Sequence, residues 1–359
     1  MKCSVSLHCT GLLLLLNSFI FPLSAGQVAD WQIRELPVKA SLRSSAATAK
    51  SLWVAGTKNR VYISKNNGKT WSDISPKLAR QHDFRDIAVL NETTAIIMSA
   101  GEGSQSKLLI TRDQGKSWQL LRENRHEKGF YDSIAFIDEQ TGFLLGDPVG
   151  GHFVIEHTRD QGKSWQRIDP TRLPAIQENE IAFAASGNTL IAAGTKDIWF
   201  ATGGLSAFAY HSNDLGASWQ KQPLPLHQTT KTAGPYALAV NNKNQLFALG
   251  GDYLKRGGAY RNIAALKQGQ WQSLDSGQNG LRTAMNCIKN ICLATGKLST
   301  DISYDHGQSW QQFSRQGFYT LAGNGRTILA AGAEGKVAIF TPDNFTNKKA
   351  SKTAAKPSY

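Results

Sequence analysis

The octapeptide TRDQGKSW occurs twice, at Thr111–Trp118 and again at Thr158–Trp165. Three looser copies are SKNNGKTW ending at Trp71, SNDLGASW ending at Trp219 and SYDHGQSW ending at Trp310. All five fit the form [S/T]-x-[D/N]-x-G-x-[S/T]-W. Trp71, Trp118 and Trp165 set a period of 47 residues, and the gap from Trp219 to Trp310 is about two units long. That gap holds a decayed copy, LKQGQW, which keeps only the Gly and Trp271. A unit of this length, repeated, means a propeller, a solenoid or another array.

Each unit carries short apolar runs bounded by Gly, Asp and Asn, as in SIAFID, GFLLGD and HFVIEHT between Ser133 and Thr158. Such runs, rich in β-branched and aromatic residues, read as strands. No helical 3.6-residue periodicity of useful length follows the first 26 residues, which disfavours helical repeats. Four antiparallel strands per unit make the blade of a β-propeller. Six box-type Trp residues give six blades. Three further runs after Trp310 (FYTLAG, TILAAG and VAIFT) lack a fourth, and DWQIREL around Trp31 can supply it. One blade shared between the termini closes a ring of seven without open sheet edges. The expectation is an all-β, seven-bladed propeller of four-stranded antiparallel blades over 27–343.

The box sits between a blade's third and fourth strands. Its acidic position is Asn66, Asp113, Asp160, Asp214 and Asp305 in the five copies. These could be catalytic or metal-ligating carboxylates, but repetition and the uncharged Asn66 favour turn chemistry. Asp and Asn bond amides two residues on, and Gly accepts a left-handed backbone. The Trp offers a large apolar face between blades.

The box is that of the Asp-box (BNR) repeat of sialidases, some glycanases and sortilin-type receptors. With DFRDIAVLN, GFLLGDPVGGHFVIEHTRDQGKSW, FATGG and GGDYLKRGGAY, the chain after its leader resembles the photosystem II stability/assembly factor family of seven-bladed propellers. Relatives of that family also occur in bacteria without a photosystem. The resemblance implies a role in the maturation or stability of a membrane complex.

The first 26 residues carry Lys2, an apolar core from Gly11 to about Phe21, and small residues Ser24, Ala25 and Gly26. This pattern reads as a cleaved export signal, too short for a spanning helix. The product is expected to be periplasmic or secreted. Residues 344–359, a Lys/Ala/Ser tail, read as a basic disordered terminus. Lys and Arg total 40 against 27 Asp and Glu, a net charge of +13. For an exported chain this excess points to an acidic protein region, an anionic membrane surface or a glycan rather than to nucleic acid.

Cys3 and Cys9 lie in the leader, so Cys287 and Cys292 remain, in NCIKNICL. A two-residue turn at Lys289-Asn290 sets Ile288 against Ile291 and Cys287 against Cys292, as a close non-hydrogen-bonded pair. A disulfide is expected in an oxidising compartment; two buried free thiols are the alternative.

Propellers present ligands at the channel mouth formed by inter-blade connections and second-to-third-strand loops. The boxes face the other way. The connections supply Arg85, Tyr131, Asp132, Glu178, Glu180, Arg282 and Tyr319; the loops supply Asp147, Asp197, Asp252, Tyr253, Lys255 and Arg256. Arg85, Tyr131, Asp132, Asp147, Glu180, Asp252, Tyr253, Arg282 and Tyr319 are the partner-binding candidates. Arg85 and Arg282 are expected to present their forks to a carboxylate or phosphate. A sialidase needs three clamping Arg and a Tyr–Glu pair, which cannot be assembled here. Asp132, Asp147, Glu180 and Asp252 could furnish a carboxylate pair for glycoside hydrolysis, and Trp53, Trp199 and Tyr253 could stack on a glycan. A second cationic cluster is Arg122, Arg125, His126 and Lys128. No nucleophile elbow, metalloprotease helix, P-loop or dinucleotide fingerprint occurs in context. The reading is a monomeric, non-enzymatic propeller with a protein partner, an acidic region of a membrane complex, and no cofactor or metal. A carbohydrate-active enzyme or glycan-binding module is the alternative.

Overall fold

The structure is a computed structural model and describes residues 31–342, apart from 259–260 and 277–278. The expected export signal and the expected disordered tail lie outside the described residues. Seven antiparallel sheets follow one another along the chain, spanning 42–73, 83–123, 131–167, 180–223, 233–274, 284–314 and 320–340. We number them blades 1 to 7. The outermost strand of blade 7 is Ile33–Glu35, paired antiparallel with Lys336–Phe340. The ring is therefore closed by the two ends of the propeller sequence, and the chain is a seven-bladed β-propeller.

Seven apolar clusters hold the ring, one at each interface between neighbouring blades. Each box Trp packs into the cluster shared with the preceding blade: Trp71 with blade 7, Trp118 with blade 1, Trp165 with blade 2, Trp219 with blade 3 and Trp310 with blade 5. Trp271 of the decayed copy does the same against blade 4. Trp31 takes the seventh place, edge-on to Phe313, Phe318 and Phe340. Large aromatic faces buried once per blade supply much of the apolar area that holds a ring lacking any single central core.

The repeated turn has one geometry. In blade 3, Thr158 Oγ1 accepts from the amide of Gly162 at 2.9 Å and donates to Asp160 Oδ1 at 2.8 Å. Asp160 accepts the Ser164 amide at 2.9 Å and its hydroxyl at 2.7 Å. The same bonds recur around Asp113, Asp214 and Asp305, and Asn66 substitutes its amide in blade 1. Gln161 and Gly162 both adopt positive φ, 63° and 80°, and a Cβ on Gly162 would lie 2.8 Å from Leu121 of blade 2. The decayed copy has shrunk to a two-residue turn at Gln268-Gly269, both with positive φ.

The Cys hairpin has Ile288 opposite Ile291 and Cys287 opposite Cys292, with a disulfide between the cysteines across a 4.0 Å Cα separation. Lys289 opens its turn at φ 55°.

Candidate functional site at the channel mouth

Blade 4 departs from the repeat. Its innermost strand is in two pieces, Glu180–Ile181 and Leu190–Ala193, both paired with Asp197–Gly204. The intervening residues 182–189 leave the sheet and reach the inner strands of four other blades. Ala184 O accepts from Arg85 Nη1 at 2.8 Å, Gly187 O from Ser133 Oγ at 3.1 Å, and Asn188 O from the Leu238 amide at 2.8 Å. Ser186 Oγ donates to Thr283 O at 2.7 Å. Contacts with blades 2, 3, 5 and 6 place this segment across the channel as a plug. Its small residues permit the passage: Gly187 has φ +75°, and a Cβ there would lie 2.3 Å from Asp86 Oδ1. Asp86 is buried and accepts from the amides of Ile87 and Ile134 and the Ser133 hydroxyl. Burial pushes its pKa up to about 7 against those bonds.

Above the plug, β-bulges choose the side chains that face the axis. The inner-strand register breaks between Leu42 and Ser44, Phe84 and Asp86, and Tyr131 and Ser133. The extra residues are Arg43, Arg85 and Asp132. A bulge re-aims one side chain out of the pleat, and here it does so at the same place in successive blades.

Four cations gather at the mouth: Arg43 and Arg85 on bulges, and Arg256 and Lys297 on the second-to-third-strand loops of blades 5 and 6. Among the described residues one carboxylate forms ion pairs within this group, and it serves the two bulge arginines. Asp83 Oδ2 lies 2.9 Å from Arg85 Nε and 3.2 Å from Arg43 Nε. Arg43 and Lys297 share the ring of Tyr319, at 5.5 and 5.3 Å from its centroid. Burial first, then Arg256, Arg43 and Arg85, pull the Lys297 pKa down to about 8.

Beside Arg85 lie two carboxyls of blade 3. Asp132 is 1% exposed, and its Oδ2 has no hydrogen-bond partner among the described residues. Burial and then the neighbouring Asp147 raise its pKa well above the carboxylate range, with Arg85 opposing. Burial raises Asp147 to about 6, opposed by the amide of Ala182.

The remaining candidates are tied into the fold. Glu180 accepts from Thr202, Tyr210, Lys221 and the Gln177 amide. Asp252 caps its loop through Thr230, Thr232 and two amides. Asp197 pairs with His211 at 2.8 Å, and Tyr131 is buried between blades 2 and 3. Tyr253 is 39% exposed on the blade 5 loop. Arg282 is 1% exposed and bound to Asp301, so its fork is not presented at the mouth; no carboxylate outside blade 6 is needed to explain it. Trp53 and Trp199 are not surface platforms for a sugar: both are buried in inter-blade clusters, because each side chain falls on a blade's packed face. Arg122 pairs with Glu156 at 2.7 Å; with Arg125 and His126 it lines a groove of about 690 Å³ between blades 2 and 3.

Arg43, Asp83, Lys297 and Asp301 escaped sequence reasoning. Arg43 had a signal: LRS, FRD and YDS begin the inner strands of blades 1 to 3 in the same phase. Among the described residues no group of three or more His, Cys, Asp or Glu side chains could hold a metal ion.

A family profile described as the DUF6242 beta propeller domain matches residues 23–274. Comparison with curated protein sequences finds no match. Among solved structures, YCF48 bound to D1 peptide superposes with a TM-score of 0.65 at 17% identity, over 87% of this chain and 95% of that one. YCF48 from Cyanidioschyzon merolae gives 0.62 at 16% identity, over 88% and 100%. The GH74 enzyme of Niastella koreensis gives 0.59 at 12% identity, over 83% of this chain and 52% of that one. These likenesses establish the fold.

Proposed function

The chain belongs to the DUF6242 β-propeller family, and from that premise we propose that it is an exported, non-enzymatic binding propeller that takes an acidic segment of a protein partner at its channel mouth. The observation that carries this reading is the cluster of Arg43, Arg85, Arg256 and Lys297, of which Arg43 and Arg85 share the carboxylate of Asp83. Such a surplus of positive charge in a concave site attracts anions and speeds their encounter. The plug closes the channel below, so the ligand rests in a cup and does not thread the ring. The peptide carried by one YCF48 structure supports a protein ligand, and assembly of a membrane complex is the role we infer from the resemblance.

The test is fluorescence anisotropy of a glutamate-rich peptide. Arg43→Ala with Arg85→Ala is expected to weaken binding by about 2–5 kcal/mol, and added salt should weaken the parent as well. Binding that ignores both changes would remove the mouth from the reading.

A second reading rests on Asp132 and Asp147, adjacent buried carboxyls with raised pKa values beside an Arg. That arrangement suits a glycosidase acid and base.

A further inference from the structure

We propose that the mouth cluster is a site for a tetrahedral dianion of the sulfate or phosphate type. This deepens the binding reading above and rests on it. The donors come from four blades: Arg43 from blade 1, Arg85 from blade 2, Arg256 from blade 5 and Lys297 from blade 6. A planar carboxylate offers two oxygens in one plane and is satisfied by one guanidinium fork. Donors supplied by four separate blades suit a tetrahedral group, which offers three or more acceptor oxygens.

Charge and occupancy agree with this. Asp83 uses only the Nε edges of Arg43 and Arg85, both through Oδ2. Arg85 Nη1 is held by Ala184 O, and Arg256 Nε by Tyr253 O. The terminal nitrogens of Arg43 and Arg256, Arg85 Nη2 and Lys297 Nζ make no hydrogen bond among the described residues, although these side chains lie close enough to repel one another. Four positive charges against one negative leave an excess of three. A monocarboxylate offsets one of these; a dianion offsets two.

Lys297 gives the site a second property. The groups facing it are Arg43, Arg85, Arg256 and the Tyr319 ring, and among the described residues no carboxylate pairs with it. Its ammonium form is disfavoured until an anion arrives, so binding draws a proton onto Nζ. With a pKa of about 8 in the empty site, uptake at pH 8 approaches about half a proton per dianion bound.

The experiment is titration calorimetry of the full chain with sodium sulfate at pH 8, in two buffers of different ionisation heat and at ionic strength fixed with chloride. Sulfate itself does not titrate there, so proton uptake reports the protein. Sulfate should bind at least about tenfold more tightly than acetate. Lys297→Arg should keep sulfate binding and lose the buffer-dependent heat. Arg256→Gln, on an exposed loop, should weaken sulfate about tenfold. A phosphoserine peptide binding more tightly than both inorganic phosphate and its serine counterpart would assign the dianion to a larger molecule; equal binding of phosphate and that peptide would assign it to the free ion. Acetate matching sulfate, or uptake that persists in Lys297→Arg, overturns the inference. If sulfate fails but the glutamate-rich peptide still binds, the broader reading stands alone. If neither binds, both fall.

Discussion

Arg282 Nε donates to Asp301 Oδ2 at 2.7 Å inside blade 6, and the two side chains are 1% and 0% exposed. A guanidinium so enclosed is a structural group. Removing its partner leaves a buried charge without compensation, which costs about 3–5 kcal/mol. Asp301→Ala should therefore lower the unfolding free energy read from urea denaturation by that amount and leave ligand affinity at the mouth unchanged in the folded fraction. A stable Asp301→Ala protein with weakened binding would return Arg282 to the mouth.

The repeated turns predict a ranking. Thr158 Oγ1 serves the buried Gly162 amide and also the Asp160 amide, and Thr158 is 1% exposed. Thr158→Val should cost about 1–3 kcal/mol, the penalty for orphaned buried amides. Asp160, at the solvent side of the same turn, should cost less when replaced by Ala. Trp165→Ala should exceed both, at about 3–5 kcal/mol by core precedent. Chemical denaturation of the three variants checks the order. An Asp160→Ala protein that melts like the parent yet fails to bind would contradict a structural role for the turn.

The contrast between Trp31 and Asp86 explains what was legible in the sequence. Trp31 could be placed in the closing strand because six box-type Trp residues mark six blades and the three runs after Trp310 lack a fourth strand, which DWQIREL supplies. The facing of Cys287 and Cys292 followed from a two-residue turn in the same local way. Asp86 and the plug could not be read, because Gly187 touches Asp86 from 101 positions away, by a path that departs from the repeat. Arg282 misled for a related reason: Arg85 faces the axis on a bulge, whereas Arg282 precedes its strand and meets Asp301 on the blade's third strand, across the intervening second strand. Periodicity reveals blades; the site is built where blades differ.

The plug itself is testable at Gly187. Its positive φ and the 2.3 Å approach of a Cβ to Asp86 Oδ1 leave no place for a side chain. Gly187→Ala should destabilise by more than about 1 kcal/mol, whereas Gly150→Ala, with positive φ but open space around it, should cost less. Thermal melts of the two variants compare them. Equal losses would mean that residues 182–189 do not fill the channel.

Two sets of carboxyls oppose each other with pH. Hydrogen bonds from Ser117 hold Asp113 at about 2, and those from Ser218 hold Asp214 at about 2. Depressed groups contribute stability above their unfolded values near 4, lost as pH falls toward 2. Asp86 and Asp147, raised by burial to about 7 and about 6, act in reverse: the folded state holds their protons longer. Their effect is to lower stability as pH rises from about 4 to about 7. The melting temperature should thus peak near pH 4–5 where these groups dominate, and Asp147→Asn should flatten the descent between pH 4 and 6. A descent of unchanged slope in that variant would show Asp147 to titrate normally.

The last prediction separates binding from catalysis at Asp132 and Asp147. Both carboxyls are raised in pKa, and Asp132 Oδ2 is buried without a partner. A proton held there satisfies the orphaned oxygen and removes the repulsion between neighbours. On the binding reading Asp132 stands protonated beside Arg85, and the cations rather than the carboxyl pair take the anionic ligand. Asp132→Asn and Asp147→Asn should then leave peptide affinity within about threefold of the parent, and the purified chain should release nothing from aryl-glycosides. A glycosidase would behave otherwise: it would turn these substrates over, with a bell-shaped pH profile set by the pair, and either Asn variant would end turnover by removing the acid or the base. Reproducible turnover lost in both variants would make Asp132 and Asp147 the working groups of the mouth and the cationic cluster their substrate-holding neighbour.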